Sequence, residues 1–196
     1  MNRFGLVIAL LLVFGVVGLA AVVHVTGPGW STAEGEGGSG PQVSRAPAPP
    51  AGSLLIPVQG VTEDALTDSW SDARGGGTRA HHAIDIMAST GTPVIAVADG
   101  RIEKLFQSDL GGLTVYERSV DGETIYYYAH LDRYAPALVE GQVVRLGQVI
   151  ASVGATGDAD PAAPHLHFEV HRMAPGEAWW QGREVNPYPL LRGGGS

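Results

Sequence analysis

From Leu54 onward the chain shows no long stretch with a 3.6-residue apolar period. It breaks instead into short apolar runs bounded by Gly, Asp and Pro. Residues 92–97 read TPVIAV and end at Asp99-Gly100, a dipeptide that signals a hairpin turn. Residues 101–106, 113–118 and 124–130 follow at strand-like spacing, with Asp121-Gly122 as a second turn signal. Residues 142–146, 149–153 and 165–171 complete the set. Short strands at this spacing, with turn dipeptides between them, predict an all-β sandwich or barrel with little helix.

The first part of the chain obeys different rules. Arg3 is followed by 21 residues, Gly5 to Val25, without a charge. About 20 apolar residues span a bilayer as a helix, whereas a secretory signal has a shorter apolar core before its cleavage site. Leu19-Ala20-Ala21 offers such a site, but the apolar run continues past it. The run has no polar face, so it does not read as a core helix. Arg3 and the N-terminal amine favour an inside N-terminus with the rest of the chain outside. Residues 27–53 are rich in Gly, Pro, Ser and Ala and bury too little apolar surface to order themselves. As a flexible coil they reach roughly 30 Å. The expected organisation is an N-terminal transmembrane anchor or signal segment over residues 1–26, a linker over 27–53, a folded domain over 54–192 and a flexible tail over 193–196.

Charge and cysteine content remove several classes of function. The formal net charge is -8, and from Ala51 onward 18 acidic residues face 10 basic ones. Nucleic-acid binding requires clustered Lys and Arg to neutralise phosphate, so it is set aside. The chain has 0 Cys, which excludes disulfides, thiolate metal sites and a Cys nucleophile. Any metal site has to be built from His and carboxylates.

Six of the 7 histidines lie in the β region. In the first cluster, Arg79 to Ile86, an extended backbone would place His81, Ala83 and Asp85 on one face, with His82 on the other. The second cluster is Tyr126-Tyr127-Tyr128-Ala129-His130-Leu131; in a regular strand Tyr126, Tyr128 and His130 share a face. In the third, Leu166, Phe168 and Val170 form an apolar face, and His165, His167 and Glu169 form the other. A catalytic zinc site takes three protein ligands and leaves a fourth position for water. The donors available are His81, Asp85 and one or both of His165 and His167, since two histidines two residues apart on a strand can both reach one metal. A histidine left beside the metal is a natural group for proton transfer or carbonyl stabilisation. Glu169 reads equally as a support for a ligand or as a solvent-facing residue, His171 as a surface residue, and Trp179-Trp180 as packing for the terminal segment.

Together these motifs resemble the lysostaphin/LytM family of zinc metallopeptidases, which cut peptidoglycan. The resemblance rests on His81-His82-Ala83-Ile84-Asp85 as a His-x-x-x-Asp motif and His165-Leu166-His167 as a His-x-His motif. It extends to Gly91-Thr92-Pro93-Val94, Ala98-Asp99-Gly100, Tyr128-Ala129-His130-Leu131, Gly141-Gln142-Val143-Val144 and Gly154-Ala155-Thr156-Gly157. It implies a mainly antiparallel all-β domain of the LytM, duplicated-hybrid type. It also implies Zn2+ held by His81, Asp85 and His167, with His130 and His165 as catalytic histidines flanking the water and the substrate carbonyl. The substrate implied is the peptide part of peptidoglycan, which agrees with a membrane-anchored domain on the outer side of the cytoplasmic membrane. Two departures stand out: Ala83 replaces a common Gly, and residues 158–163 lengthen the loop before Pro164.

Three other readings compete. A non-catalytic LytM-like module would bind and activate a cell-wall amidase, but the donor set here is complete. A lipoyl or biotinyl carrier needs a lysine at a hairpin tip, and Lys104, the single lysine, falls within a strand run. A sugar-phosphotransferase domain belongs in the cytoplasm, which the apolar N-terminus contradicts. The anchored arrangement predicts that the full-length chain sediments with membranes and that external protease reaches its β domain. A chain recovered as soluble cytoplasmic protein would remove both the anchor and the cell-wall assignment.

Overall fold

The computed structural model describes residues 53–193. The expected membrane segment, nearly all of the linker and the tail from residue 194 lie outside the described residues. Among the described residues no helix is long and apolar enough to cross a membrane.

The strands are β1 (Ala73–Arg74), β2 (Arg79–Ala80), β3 (Ile84–Met87), β4 (Pro93–Ile95), β5 (Gly100–Ser108), β6 (Gly112–Ser119), β7 (Thr124–Tyr134), β8 (Val143–Val144), β9 (Val149–Val153), β10 (His165–Arg172) and β11 (Arg183–Val185). A short helix, α1 (Pro187–Leu191), closes the domain, with Asn186 capping it by accepting the Tyr188 N–H. β1 and β2 form a small ribbon; the other nine strands make one antiparallel sheet along the path β11-β10-β7-β6-β5-β8. β3 also pairs with β10, β9 with the far end of β7, and β4 with β9. The expected mainly antiparallel β architecture is therefore the one observed.

The core follows from alternation along the strands. On β10, Leu166, Phe168 and Val170 are buried while His165, His167, Glu169 and His171 point to the opposite face. On β3, Ile84 and Ile86 are buried and Asp85 faces out with the histidines. These apolar residues join Val115, Tyr126, Tyr128, Ile150 and Val153 in a single cluster. One face of the central strands is thus consumed by packing, and the other is left for chemistry.

Two local expectations need correction. Asp99-Gly100 is not a hairpin turn, because β4 pairs with β9 and β5 pairs with β6 and β8. Gly100 opens β5 where a Cβ would meet the Arg118 carbonyl oxygen at 2.5 Å and Glu117 Oε1 at 3.0 Å. Glycine is required there by close approach of a neighbouring strand, not by a turn. Nor is β7 regular. Its register against β6 shifts between Leu113↔Leu131 and Val115↔Tyr128, and His130 adopts φ 58°. This bulge separates His130 from Tyr126 and Tyr128, which stay in the core, and turns it to the Tyr127 and Ala129 side.

The packing of Glu117 has a measurable consequence. Its carboxyl is fully buried; Oε2 accepts a 2.5 Å bond from Tyr128 Oη, and Oε1 has no partner. Tyr128 Oη in turn accepts the Val97 N–H. Burial raises the Glu117 pKa from 4.5 to about 8, against the lowering effect of the Tyr128 bond. The folded chain therefore keeps a proton that the unfolded chain loses above pH 4.5. Stability from this group is complete below that pH and is lost as pH rises through about 8, at about 1.4 kcal/mol per pH unit for one proton. Denaturation of wild type and Glu117→Gln across pH 5–9 should show the extra downward slope only in wild type. Parallel curves would mean that Glu117 ionises normally in the fold.

Candidate active site and metal centre

The register of β10 assembles the site. His167 lies opposite Asp85 on one side and Ala129 on the other, so β3 and β7 deliver their residues to the same point. His81 arrives by a different route from the one expected. The chain is not extended through residues 81–83; His82 takes φ 57° and its ring stacks on Trp70 at 4.9 Å. This kink still brings His81 Nε2 to 3.0 Å from Asp85 Oδ1. His81 Nε2 is also 3.0 Å from His167 Nδ1, which lies 3.2 Å from Asp85 Oδ1. These three atoms form a nearly equilateral triangle among the described residues.

The tautomers follow from the outer partners. His81 Nδ1 donates to the Ser69 carbonyl, so Nε2 carries the lone pair. Ser69 also receives the Asp85 N–H on its hydroxyl and donates that hydroxyl to the Ala83 carbonyl, fixing both ends of the His81–Asp85 turn. His167 Nε2 donates to Glu169 Oε1 at 2.8 Å, leaving Nδ1 toward the triangle. Glu169 Oε2 is 2.6 Å from His171 Nε2. Two imidazole nitrogens and a carboxylate oxygen at such spacing need a cation among them. Tetrahedral ligands at 2.0–2.1 Å from a metal are separated by roughly 3.3 Å, so the triangle has the size such an ion requires.

Ionisation agrees with this picture. Burial opposes the charged form of His167, but its bonds with Asp85 and Glu169 prevail and push its pKa up to about 9. Burial would raise the Asp85 carboxyl, yet His167 and His81 hold it well below the usual carboxylate range. Glu169 is held at about 2, its burial outweighed by His167 and His171. In the absence of metal, a proton on His167 takes the place of the cation.

His130 and His165 stand beside the triangle. Their rings are 5.0 Å apart, and His130 is 5.5 Å from the His167 ring. His165 Nε2 is 3.8 Å from Asp85 Oδ1, outside the tight set that His167 joins. Each has Nδ1 held by a backbone carbonyl: Ala163 for His165 and Thr156 for His130. Their Nε2 atoms are thereby left with lone pairs. The Thr156 loop reaches β6 because Gly112 has no Cβ; one there would lie 2.1 Å from Thr156 Oγ1, at φ 64°. Burial lowers the His130 pKa, partly offset by its bond to Thr156. A neutral His130 is a proton acceptor at neutral pH.

These residues border a cleft of about 530 Å³. Its lining includes Asp158, Ala159 and Asp160 from the lengthened loop, together with Tyr127, Leu110 and Glu169. It contains four carboxylates and no Lys or Arg. Several supporting residues escaped the sequence reading. His171, expected at the surface, is half-buried against Glu169. Alternation already placed Glu169 on the histidine face, but nothing in the sequence pointed to Ser69, and Thr156 entered only within the Gly154-Ala155-Thr156-Gly157 match; each holds a histidine through its carbonyl group.

The sequence pattern of peptidase family M23 matches residues 79–187, a span that contains all five of these site residues. The chain belongs to this family. It is 35% identical over 147 residues to the L-Ala--D-Glu endopeptidase of Bacillus subtilis, covering 72% of this chain and 44% of that protein. It is 39% identical over 95 residues to the peptidoglycan DD-endopeptidase ShyC of Vibrio cholerae, covering 48% of this chain and 21% of that one. The chain thus spans less than half the length of these curated relatives. Among solved structures, the catalytic domain of the antimicrobial peptidase lysostaphin from Staphylococcus simulans superposes with a TM-score of 0.55 at 28% identity, over 65% of this chain and 91% of that domain. The M23 domain described here is accordingly of the lysostaphin/LytM kind.

Because the metal-free site stores a proton on His167, metal uptake should release it. Affinity for a divalent ion should climb with pH up to about 9, the pKa of His167. Glu169→Gln removes the carboxylate that orients His167 and should weaken metal binding by about 10- to 100-fold. It should also reduce proton release at pH 8, read by titration calorimetry in buffers of different ionisation enthalpy. Unchanged affinity and proton release would show that Glu169 does not support the ligand.

Proposed function

We propose that this M23 domain is a zinc metalloendopeptidase that hydrolyses peptide cross-links or stem peptides of peptidoglycan, tethered outside the cytoplasmic membrane by its apolar N-terminal segment. The observation that carries the proposal is the triangle of His81 Nε2, Asp85 Oδ1 and His167 Nδ1, flanked by His130 and His165, each with Nδ1 held by a backbone carbonyl. Two imidazoles and one carboxylate, with no thiolate in the chain, are the ligand class of a catalytic zinc site with three protein ligands and a fourth position for water. His81, Asp85 and His167 would hold the ion. When bound, zinc lowers the pKa of its water and polarises a carbonyl.

The chain's own residues supply the rest. His130, kept neutral by burial, and His165 accept and return protons at Nε2 on the cleft side, each oriented by the carbonyl behind it. His165 opens β10 on the same face as His167, two residues before it, and His130 reaches the same space from the bulge in β7. A peptide entering the cleft meets a wall rich in carboxylates, which favours substrates bearing a free ammonium group. The relatives named as endopeptidases of wall peptides support the substrate class. The complete donor set favours an enzyme over a non-catalytic activator of an amidase.

Purified sacculi incubated with the protein should yield shortened or uncoupled peptides, identified by mass spectrometry, and a chelator should stop the reaction. His167→Ala should lose the metal. His165→Ala and His130→Ala should retain it and lose turnover by about 10²–10⁴-fold. If His165→Ala loses zinc while His167→Ala keeps it, the ligand and proton-transfer roles are reversed.

A further inference from the structure

Beside the cleft, aromatic rings continue the sheet face away from the metal donors. Tyr127, in the cleft wall, is 6.1 Å from the His167 ring and 4.6 Å from Tyr116, its cross-strand neighbour on β6. Tyr116 is 4.6 Å from Trp179, which also contacts Phe106 at 5.5 Å and Trp180 at 5.2 Å. Trp179 and Trp180 belong to the connection between β10 and β11, which is fastened to the sheet by the Arg118 guanidinium donating to the Glu177 carbonyl. The rings are not a buried core. Trp180 is 65% exposed and Phe106 41%.

We propose that this strip is a sugar-binding subsite, and that its ligand is a neutral β-linked polysaccharide of N-acetylated amino sugars. The inference rests on the peptidoglycan reading above, since a wall peptide in the cleft brings with it the glycan strand to which it is bonded. Three observations favour such an occupant. The strip is continuous with the cleft through Tyr127, so one substrate can span both. Its members are aromatic, and aromatic faces pack against the C–H faces of sugar rings, with Trp180 the most exposed of them. Arg118, the cation that fastens the Trp179–Trp180 connection, is itself paired with Glu103. The strip is therefore an aromatic surface whose anchoring cation is neutralised, better suited to an uncharged sugar than to an anionic polymer. The β10–β11 connection thereby acquires a role that simple packing does not explain, because packing would bury Trp180.

The test uses the full-length protein in detergent and the soluble tetramer of β-1,4-linked N-acetylglucosamine. Tryptophan fluorescence and calorimetry should detect binding, and Trp180→Ala should weaken it by about tenfold, the factor expected for loss of one stacking contact. The same variant should digest intact sacculi more slowly but cleave sugar-free cross-linked peptides at the wild-type rate. Trp180→Phe should recover most of the binding. Absence of tetramer binding, or sacculus digestion by Trp180→Ala at the wild-type rate, would overturn the proposal. So would a dimer of wild type that becomes monomeric in Trp180→Ala, because the strip would then be a self-association surface. If wild type cleaves neither sacculi nor peptides yet binds the tetramer through Trp180, the sugar site stands and the peptidase reading falls.

Discussion

The pairing of β10 on both edges is the constraint on which the site depends. His167 is held between Asp85 of β3 and Ala129 of β7 by backbone ladders. Side chains alternate with a period of two, so a slip of one residue would send His167 into the core and Leu166 toward the metal. Burial of Leu166, Phe168 and Val170 makes that slip prohibitively costly. The same apolar contacts that stabilise the sheet therefore set the positions of the donors. No separate scaffold is needed for the histidine face.

Placement alone does not make a metal site; the rings must also present the correct nitrogen. Here the outer partners do that work: Ser69 and Glu169 for the two histidines of the triangle, and Thr156 and Ala163 for the two beside it. Three of these four acceptors are neutral backbone carbonyls; Glu169 is the charged one. That difference matters because Glu169 stabilises positive charge on His167, whereas a carbonyl fixes orientation with much less effect on basicity. His167 consequently keeps a proton in the metal-free chain, and His130, buried against a carbonyl, does not. Similar side chains within a few ångströms are thus given different proton affinities by what lies behind them.

Much of this was legible in the sequence because it depends on local periodicity. The alternation of β10 declared its two faces, and the short apolar runs declared the antiparallel sheet. What escaped has a common physical cause. The left-handed conformations of His82 and His130 depend on tertiary contacts and carry no glycine to announce them. A regular-strand argument therefore put His130 with Tyr128, when the bulge moves it to the cleft. Asp99-Gly100 looked like a turn because glycine serves two purposes, and here it makes room for Glu117 and Arg118. Ser69 and Thr156 act on partners distant in sequence, through their carbonyls on His81 and His130 and through their hydroxyls on neighbouring backbone, and no local periodicity marks such contacts. The alternation pattern alone left His165 and His167 open, and in the structure they differ in distance to Asp85 Oδ1, 3.8 Å against 3.2 Å.

The division between chemistry and recognition follows from the same construction. Asp85, His165 and His167 stand on strands and His130 at a strand bulge, where burial on the opposite face limits their movement, while His81 lies in the kinked connection before β3 and is held by the Ser69 carbonyl. The cleft wall is completed by connections: the lengthened loop brings Asp158 and Asp160 to it, and beside the cleft another segment lays Trp179 against Tyr116. Loops can change length and charge without disturbing the register of β10, because none of them supplies a core side chain to that strand's ladder. The M23 relatives whose names specify different peptide bonds are what such an arrangement permits. In the proposed reading, a fixed set of His81, Asp85 and His167 is surrounded by connections free to vary, and selectivity would be set by those walls.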